Sequence, residues 1–207
     1  MARPRGPMTG MAGFTMVELI ITMLIAVILL RIGIPAFGEW MGNLQIRASA
    51  EGVLNGLGVA RSEALKRNAR VMFSMEGADG GATAWTVCQV ADGGTTCPAG
   101  STIQARDGGD ESPRARAGAT TDASLTLSTA FATPLTPGDG FPARVIFDGR
   151  GRPLAATGWA NTVRIDLRNA TMSSSEERRL SVVISPTGSA RLCDPSLASG
   201  SGDPRVC

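Results

Sequence analysis

The chain has 207 residues, 43% hydrophobic and 18% charged, with aromatics at 4% and no Tyr, which suits one soluble domain with an aliphatic core plus one further segment. Its formal charge of +2 includes Arg3 and Arg5 at the start, so the remainder is near neutral, which argues against coating nucleic acid by neutralising phosphates. The absence of His removes the commonest general base, the commonest metal ligand and every imidazole-dependent triad, so no enzyme and no cofactor is expected.

From Phe14 to Leu30 the sequence is almost uninterruptedly apolar, and Ile32 to Phe37 extend it beyond Arg31 to the length a helix needs to cross a bilayer. The run continues through Pro35 and Trp40 into a long helical pattern, unlike a short secretory signal, so it is expected to stay with the protein. Arg3 and Arg5 place the N-terminus in the cytoplasm and residues after about Trp40 outside it. Glu18 lies early in the apolar run, where a charge costs about 2.5–3.5 kcal/mol near the bilayer centre, so it must reach headgroup water or meet a cation. Arg31, near the far end, is expected to snorkel outward. Pro35 removes a helix hydrogen bond and is expected to kink or loosen the helix.

The run Gly13-Phe14-Thr15-Met16-Val17-Glu18-Leu19 behind a short basic leader resembles the cleavage signal of type IV pilins and type II secretion pseudopilins. The resemblance implies that a prepilin peptidase cuts between Gly13 and Phe14 and methylates the new terminal amine. It also implies that Glu18 meets a neighbouring subunit's terminus, a carboxylate facing an ammonium, during assembly. Arg31 is a charge the family pattern lacks. The division implied is a leader at 1–13, a transmembrane and assembly helix at 14–37 that contains Pro35, an amphipathic half-helix at 38–70 and a periplasmic β-rich domain at 71–207. Inner-membrane lipid is the surrounding before assembly, and a pilus or pseudopilus filament after it.

From Ile46 onward apolar residues recur at Ala50, Val53, Leu57, Ala60 and Ala64, one helical face, with Arg47, Glu51, Asn55, Arg61 and Ser62 on the other side. Glu63 and Arg67 form an i,i+4 pair. Lys66, the only Lys and the only candidate for a Ser-Lys pair, sits in this charged run, which predicts a solvated surface. Gly52 and Gly56 have GxxxG spacing, which suits helix–helix contact or the close approach of a strand. After Arg70, short β-branched runs predict antiparallel strands at Val71–Met75, Trp85–Val90, Leu125–Ser128, Arg144–Phe147, Val163–Leu167, Leu180–Ile184 and Ala190–Cys193. The alternation from Val163 to Leu167 predicts one buried and one wet face. Asp107 to Thr121, rich in Gly, Arg and Asp, is expected to be a mobile surface loop.

Leu57-Gly58-Val59-Ala60-Arg61-Ser62-Glu63-Ala64-Leu65-Lys66-Arg67-Asn68 resembles the helix-end signature of GspH/FimT pseudopilins. Looser likeness follows at Trp85 to Cys88, Val145 to Gly151 and Leu180 to Arg191. The resemblance implies an α+β pilin-like fold, a long N-terminal helix packed against two antiparallel β-sheets. It further implies a minor pilin that helps initiate or cap a type IV pilus, with other minor pilins or pseudopilins as partners. The alternative is a type II secretion pseudopilin at the filament tip. Some FimT-type members bind DNA for natural transformation through a Gly-Arg-x-Arg motif. Here Gly188-Ser189-Ala190-Arg191 stands in that place, with Ser189 for the first Arg, while Gly149-Arg150-Gly151-Arg152 has the spelling after a predicted strand. Arg150, Arg152 and Arg191 are therefore the candidates for a DNA-binding edge.

Cys88, Cys97, Cys193 and Cys207 all fall on the side assigned to the periplasm, where disulfides persist. Of three pairings, Cys88 with Cys97 and Cys193 with Cys207 are preferred, because each closes a short, turn-rich segment. No CxxC spacing supports zinc, and Asp107, Asp110 and Glu111 match no EF-hand calcium loop, so no metal is expected.

Overall fold

A computed structural model describes residues 14–108, 112–154 and 160–207. Gly13, Asp110 and Glu111 lie outside the described residues, as do the side chains of Pro35 and Asp79. The chain divides into two compact units, Met1–Gly38 and Glu39–Cys207.

Helix α1 covers Met16–Arg67 and continues through Pro35. In the first unit its described apolar side chains all remain exposed, Leu19 by 52% and Leu30 by 59%. The helix begins on Thr15, whose hydroxyl accepts a hydrogen bond from the Glu18 N–H at 3.2 Å. Thr15-Met16-Val17-Glu18 therefore has both the spelling and one of the two bonds of a capping box, and Glu18 sits where a carboxylate complements the helix dipole.

In the second unit the amphipathic part of α1 turns Ile46, Ala50, Val53, Leu57, Ala60 and Ala64 inward, none more than 1% exposed. The helix stops at Asn68, which takes a left-handed φ of 46°, while Ala69 N–H bonds back to the Ala64 carbonyl at 3.2 Å. Two four-stranded antiparallel sheets follow. The first orders β3 (Thr102–Arg106), β2 (Trp85–Gln89), β1 (Val71–Met75) and β5 (Ala143–Phe147). The second orders β4 (Ala115–Thr120), β6 (Arg164–Asn169), β7 (Leu180–Ile184) and β8 (Ala190–Cys193). The helix stripe packs in one core with Val71, Phe73, Val145 and Phe147 of the first sheet and Ile165, Leu167 and Val182 of the second. A smaller cluster of Met72, Cys88, Val90 and Ile146, with Cys97 and Leu154 against it, covers the other face of the first sheet. The fold is thus α+β, a long helix against two antiparallel sheets.

The GxxxG pair faces the protein's own sheet. A Cβ on Gly56 would come within 2.7 Å of the Phe73 ring and 3.0 Å of Trp85, and one on Gly52 would strike the Arg106 guanidinium, which donates to the Ala48 carbonyl at 3.1 Å.

Three expectations fail for physical reasons. Leu125–Ser128 is not a strand: 3-10 turns at Ala123–Thr126 and Ser128–Ala132 replace it, the first capped by Asp122, whose carboxylate accepts from the Ser124 N–H at 2.9 Å. The mobile loop expected from Asp107 to Thr121 instead contains β4, whose Ala115, Ala117 and Ala119 are buried. Gly118 lets the segment at 135–140 lie against the strand, since a Cβ there would strike the Thr136 carbonyl, with Gly138 N–H bonding the Ala117 carbonyl and Ala119 N–H bonding the Asp139 carbonyl, both at 2.9 Å. The wet face expected for β6 is dry, since Arg164 and Asp166 are both 0% exposed under the 3-10 turns. Strand β3, which no apolar alternation announces, forms the outer edge of the first sheet.

Candidate functional site

The first candidate is the apolar helix itself. Phe14 is 78% exposed, and Glu18 and Arg31 are exposed on the same helix among bulky aliphatic side chains. A helix whose whole circumference is apolar needs a non-aqueous surrounding or other helices around it. By length and composition this segment is able to cross a membrane.

The second candidate is the basic edge. Arg150 and Arg152 lie in the turn after β5, where the Asp148 carboxylate accepts both backbone N–H groups at 2.9 Å. Gly151, with φ 73°, lets this turn lie against Gly188, whose own φ is 84°. Arg61 of α1 ties the two turns together, donating to the Gly151 carbonyl at 3.1 Å and the Thr187 carbonyl at 3.4 Å. Arg150 and Arg152 are exposed, and among the described residues their guanidinium groups have no hydrogen-bond or ion-pair partner. Arg191 on β8 differs: its guanidinium donates to the Val206 carbonyl at 3.1 Å and the Cys207 carbonyl at 3.4 Å, fastening the C-terminal tail. The two turns are therefore in contact, whereas Arg191 is engaged elsewhere.

Cys88 is bonded to Cys97 and Cys193 to Cys207. The first disulfide sits in the smaller apolar cluster; the second closes the tail, where the Asp194 N–H bonds the Arg205 carbonyl at 2.7 Å. Lys66 is at the surface with Glu63, which also pairs with Arg67 at 2.6 Å. No three His, Cys, Asp or Glu groups gather around a common point among the described residues.

Sequence reasoning missed the most polar part of the interior. Arg164 and Asp166, two residues apart on β6, point to one face and form an ion pair at 2.7 Å. Asp166 also accepts from Arg179, from the Ser181 hydroxyl and from the Leu135 N–H at 2.7–3.0 Å, while Phe131 stacks its ring 4.3 Å from the Arg164 guanidinium. Burial pushes the Asp166 carboxyl up, but Arg164, the Leu135 amide and the Ser181 hydroxyl together outweigh it and hold it below the ordinary 3.8. The cluster binds the protein to itself and offers no opening to a ligand.

Comparison with known proteins bears on these surfaces. The family described as type II transport protein GspH matches residues 49–188. No curated protein sequence matches the chain. Among solved structures, the chain is similar to the type IV minor pilin FimU of Pseudomonas aeruginosa in one crystal form at 16% identity and a TM-score of 0.46, covering 75% of this chain and 92% of that one. A second crystal form of FimU gives 16% identity and a TM-score of 0.44 over 74% of this chain and 97% of that one. The family match spans the amphipathic half of α1, both sheets as far as β7 and the turn that carries Gly188, and the chain belongs to the GspH family of pilin-like proteins.

Proposed function

We propose that the chain is a minor pilin, held in the inner membrane by residues 14–37 and then assembled with other minor pilins into a type IV pilus, which it helps to initiate or cap. The observation that carries this reading is the exposed apolar circumference of α1 from Met16 to Ile34. Each Å² of that surface left in water forgoes about 25 cal/mol, which lipid or neighbouring helices would recover. A terminal amine released at Phe14 is the cation that would neutralise Glu18 of an adjacent subunit, and it exists only after a prepilin peptidase has cut behind Gly13.

Co-expression with such a peptidase and measurement of the intact mass tests this directly. Loss of thirteen residues with a gain of one methyl group is expected, whereas an uncleaved chain or a cut after Ala26 removes the pilin reading. The family's own description supports a second reading, a type II secretion pseudopilin at the filament tip. Deleting the gene separates the two: lost surface pili mark a pilus subunit, and lost export with intact pili marks a secretion subunit.

The contact between the turns at Gly151 and Gly188 favours one further role, DNA binding through Arg150 and Arg152, with Arg191 free to join only if the tail lets go. A phosphate-binding edge predicts a gel shift that weakens steeply with salt and a flatter slope when all three are replaced by Ala. No shift at low salt ends that role.

A further inference from the structure

The second unit begins with a short stretch of α1 that looks two ways. On one side Gly42 is buried against Met172, and Asn43 accepts the Arg178 N–H at 2.8 Å and donates to the Glu176 carbonyl at 3.1 Å, so this side is fastened to the unit's own loop. On the other, Trp40 is 57% exposed, Met41 38% and Leu44 41%, while further along the helix Ile46 and Ala50 are wholly buried. Among the described residues of this unit, most of the large apolar side chains left exposed are these three. Isolated apolar residues on a surface need no explanation, but here an indole, a thioether and a leucine are neighbours on helical spacing.

Their position along the chain identifies what covers them. Phe14 to Trp40 is 26 residues, about 39 Å of helix at 1.5 Å per residue. A bilayer has a hydrocarbon core of about 30 Å and spans about 40–45 Å with its headgroups, so a helix that starts at one interface reaches the opposite headgroup layer near Trp40. Tryptophan concentrates at that level because its ring is apolar and its N–H needs a wet partner. Exposed Glu39 on one side and Arg47, 68% exposed at its side chain, on the other oppose deeper insertion. We propose that Trp40, Met41 and Leu44 form a lipid-facing foot, by which the soluble unit rests in the headgroup layer of a phospholipid membrane until the subunit is extracted. The inference depends on the membrane-anchored reading given above and adds to it a contact made by the soluble unit.

The test uses the full chain reconstituted in vesicles of phosphatidylethanolamine and phosphatidylglycerol, compared with Trp40→Phe so that the difference in emission isolates Trp40 from Trp85 and Trp159. Flotation of both proteins establishes anchoring first. The expected result is a Trp40 signal quenched several-fold more by lipid brominated near the ester groups than by lipid brominated at the chain ends, and shielded from aqueous acrylamide. A floating protein whose Trp40 signal is open to acrylamide and indifferent to bromine overturns the foot while leaving the anchor intact. A signal quenched best from the chain ends overturns it as well, since Trp40 would then lie in hydrocarbon. Failure to float overturns the anchor and the foot together. Met41→Asn with Leu44→Asn supplies a second arm, in which acrylamide access to Trp40 is expected to rise without loss of flotation.

Discussion

Arg164 has no contact with water, yet all five of its N–H donors are used: two on Asp166 and three on the carbonyls of Leu125, Ala130 and Thr133. Replacing Asp166 with Ala strands that charge and is expected to cost about 3–5 kcal/mol in urea unfolding of the purified protein. Arg164→Lys is not a conservative change here, because an ammonium with three donors cannot span a carboxylate and three carbonyls. Asp166 titrates lower in the folded than in the unfolded state, so its contribution is complete above the ordinary carboxylate pKa and is lost as pH falls through the folded value. Acid unfolding below about pH 4 should therefore be steeper in the parent than in Asp166→Asn, and equal slopes would contradict the pairing. The alternation from Val163 to Leu167 was legible, but alternation reports which residues share a face and says nothing of a lid built 31 to 39 residues away.

Glu18 presents a similar choice between roles at one residue. The Thr15 hydroxyl bonds the Glu18 backbone N–H, a bond that any residue at 18 can make, so what a side chain adds at this helix start is the return bond of a capping box, for which Gln serves as well as Glu. Glu18→Gln keeps the capacity for that return bond and loses the charge, whereas Glu18→Ala loses both. If the carboxylate meets a neighbour's amine, both variants should accumulate in the membrane at parental or higher level and fail to pilate. If capping is its whole role, Glu18→Gln should pilate normally. Immunoblots of membranes beside surface-pilus counts decide between them.

Among the elements, the amphipathic half of α1 was the most legible, because six apolar positions at three-and-four spacing have no other regular solution. Its glycines separate by what they face. Gly56 is pressed against Phe73 and Trp85, so Gly56→Leu should overpack the core and cost about 1–3 kcal/mol. Gly58, two residues on, is exposed with nothing within 4 Å of a Cβ, so Gly58→Ala should stabilise the helix by about 1 kcal/mol. Thermal melts of the two variants moving in opposite directions would confirm that the sheet, and not a partner helix, occupies this face. Strands β1, β5, β6 and β7 were visible through their β-branched runs. Strand β4 was hidden because alanine carries no strand preference, and β3 because an edge strand with four polar or small side chains in five looks like loop.

Across the whole soluble unit, each of the four outer strands is covered along part of its length or bent by a bulge. Beside β5, the Thr162 N–H bonds the Arg144 carbonyl and the Leu154 N–H bonds the Ile146 carbonyl; beside β4 lie Gly138 and Asp139. The C-terminal tail meets the end of β8, where Asp194 just past the strand pairs with Val206, the Arg191 side chain donates to the Val206 carbonyl and the Cys193–Cys207 bond holds it. On β3 the pairing passes from Gln104 to Thr102, leaving Ile103 as an extra residue that bends the edge away. Replacing Cys193 and Cys207 with Ser should lower stability by about 3 kcal/mol, the value for a loop of roughly 15 residues, and release β8. Light scattering on concentrating that variant is expected to show aggregates that the Cys88→Ser, Cys97→Ser variant does not form, since that loop guards no rim.

Sealed rims would matter most if the chain, as proposed above, waits among other subunits before assembly. Crowded molecules sample one another's surfaces continually, and a sheet with a single open rim would zip to its first neighbour, in any order and without release. With these rims occupied or bent, collisions between globular parts would come apart again, and on the membrane-anchored reading proposed above the apolar helix would have to be drawn out of lipid before it could adhere. Timing would then be set by extraction, not by chance encounter.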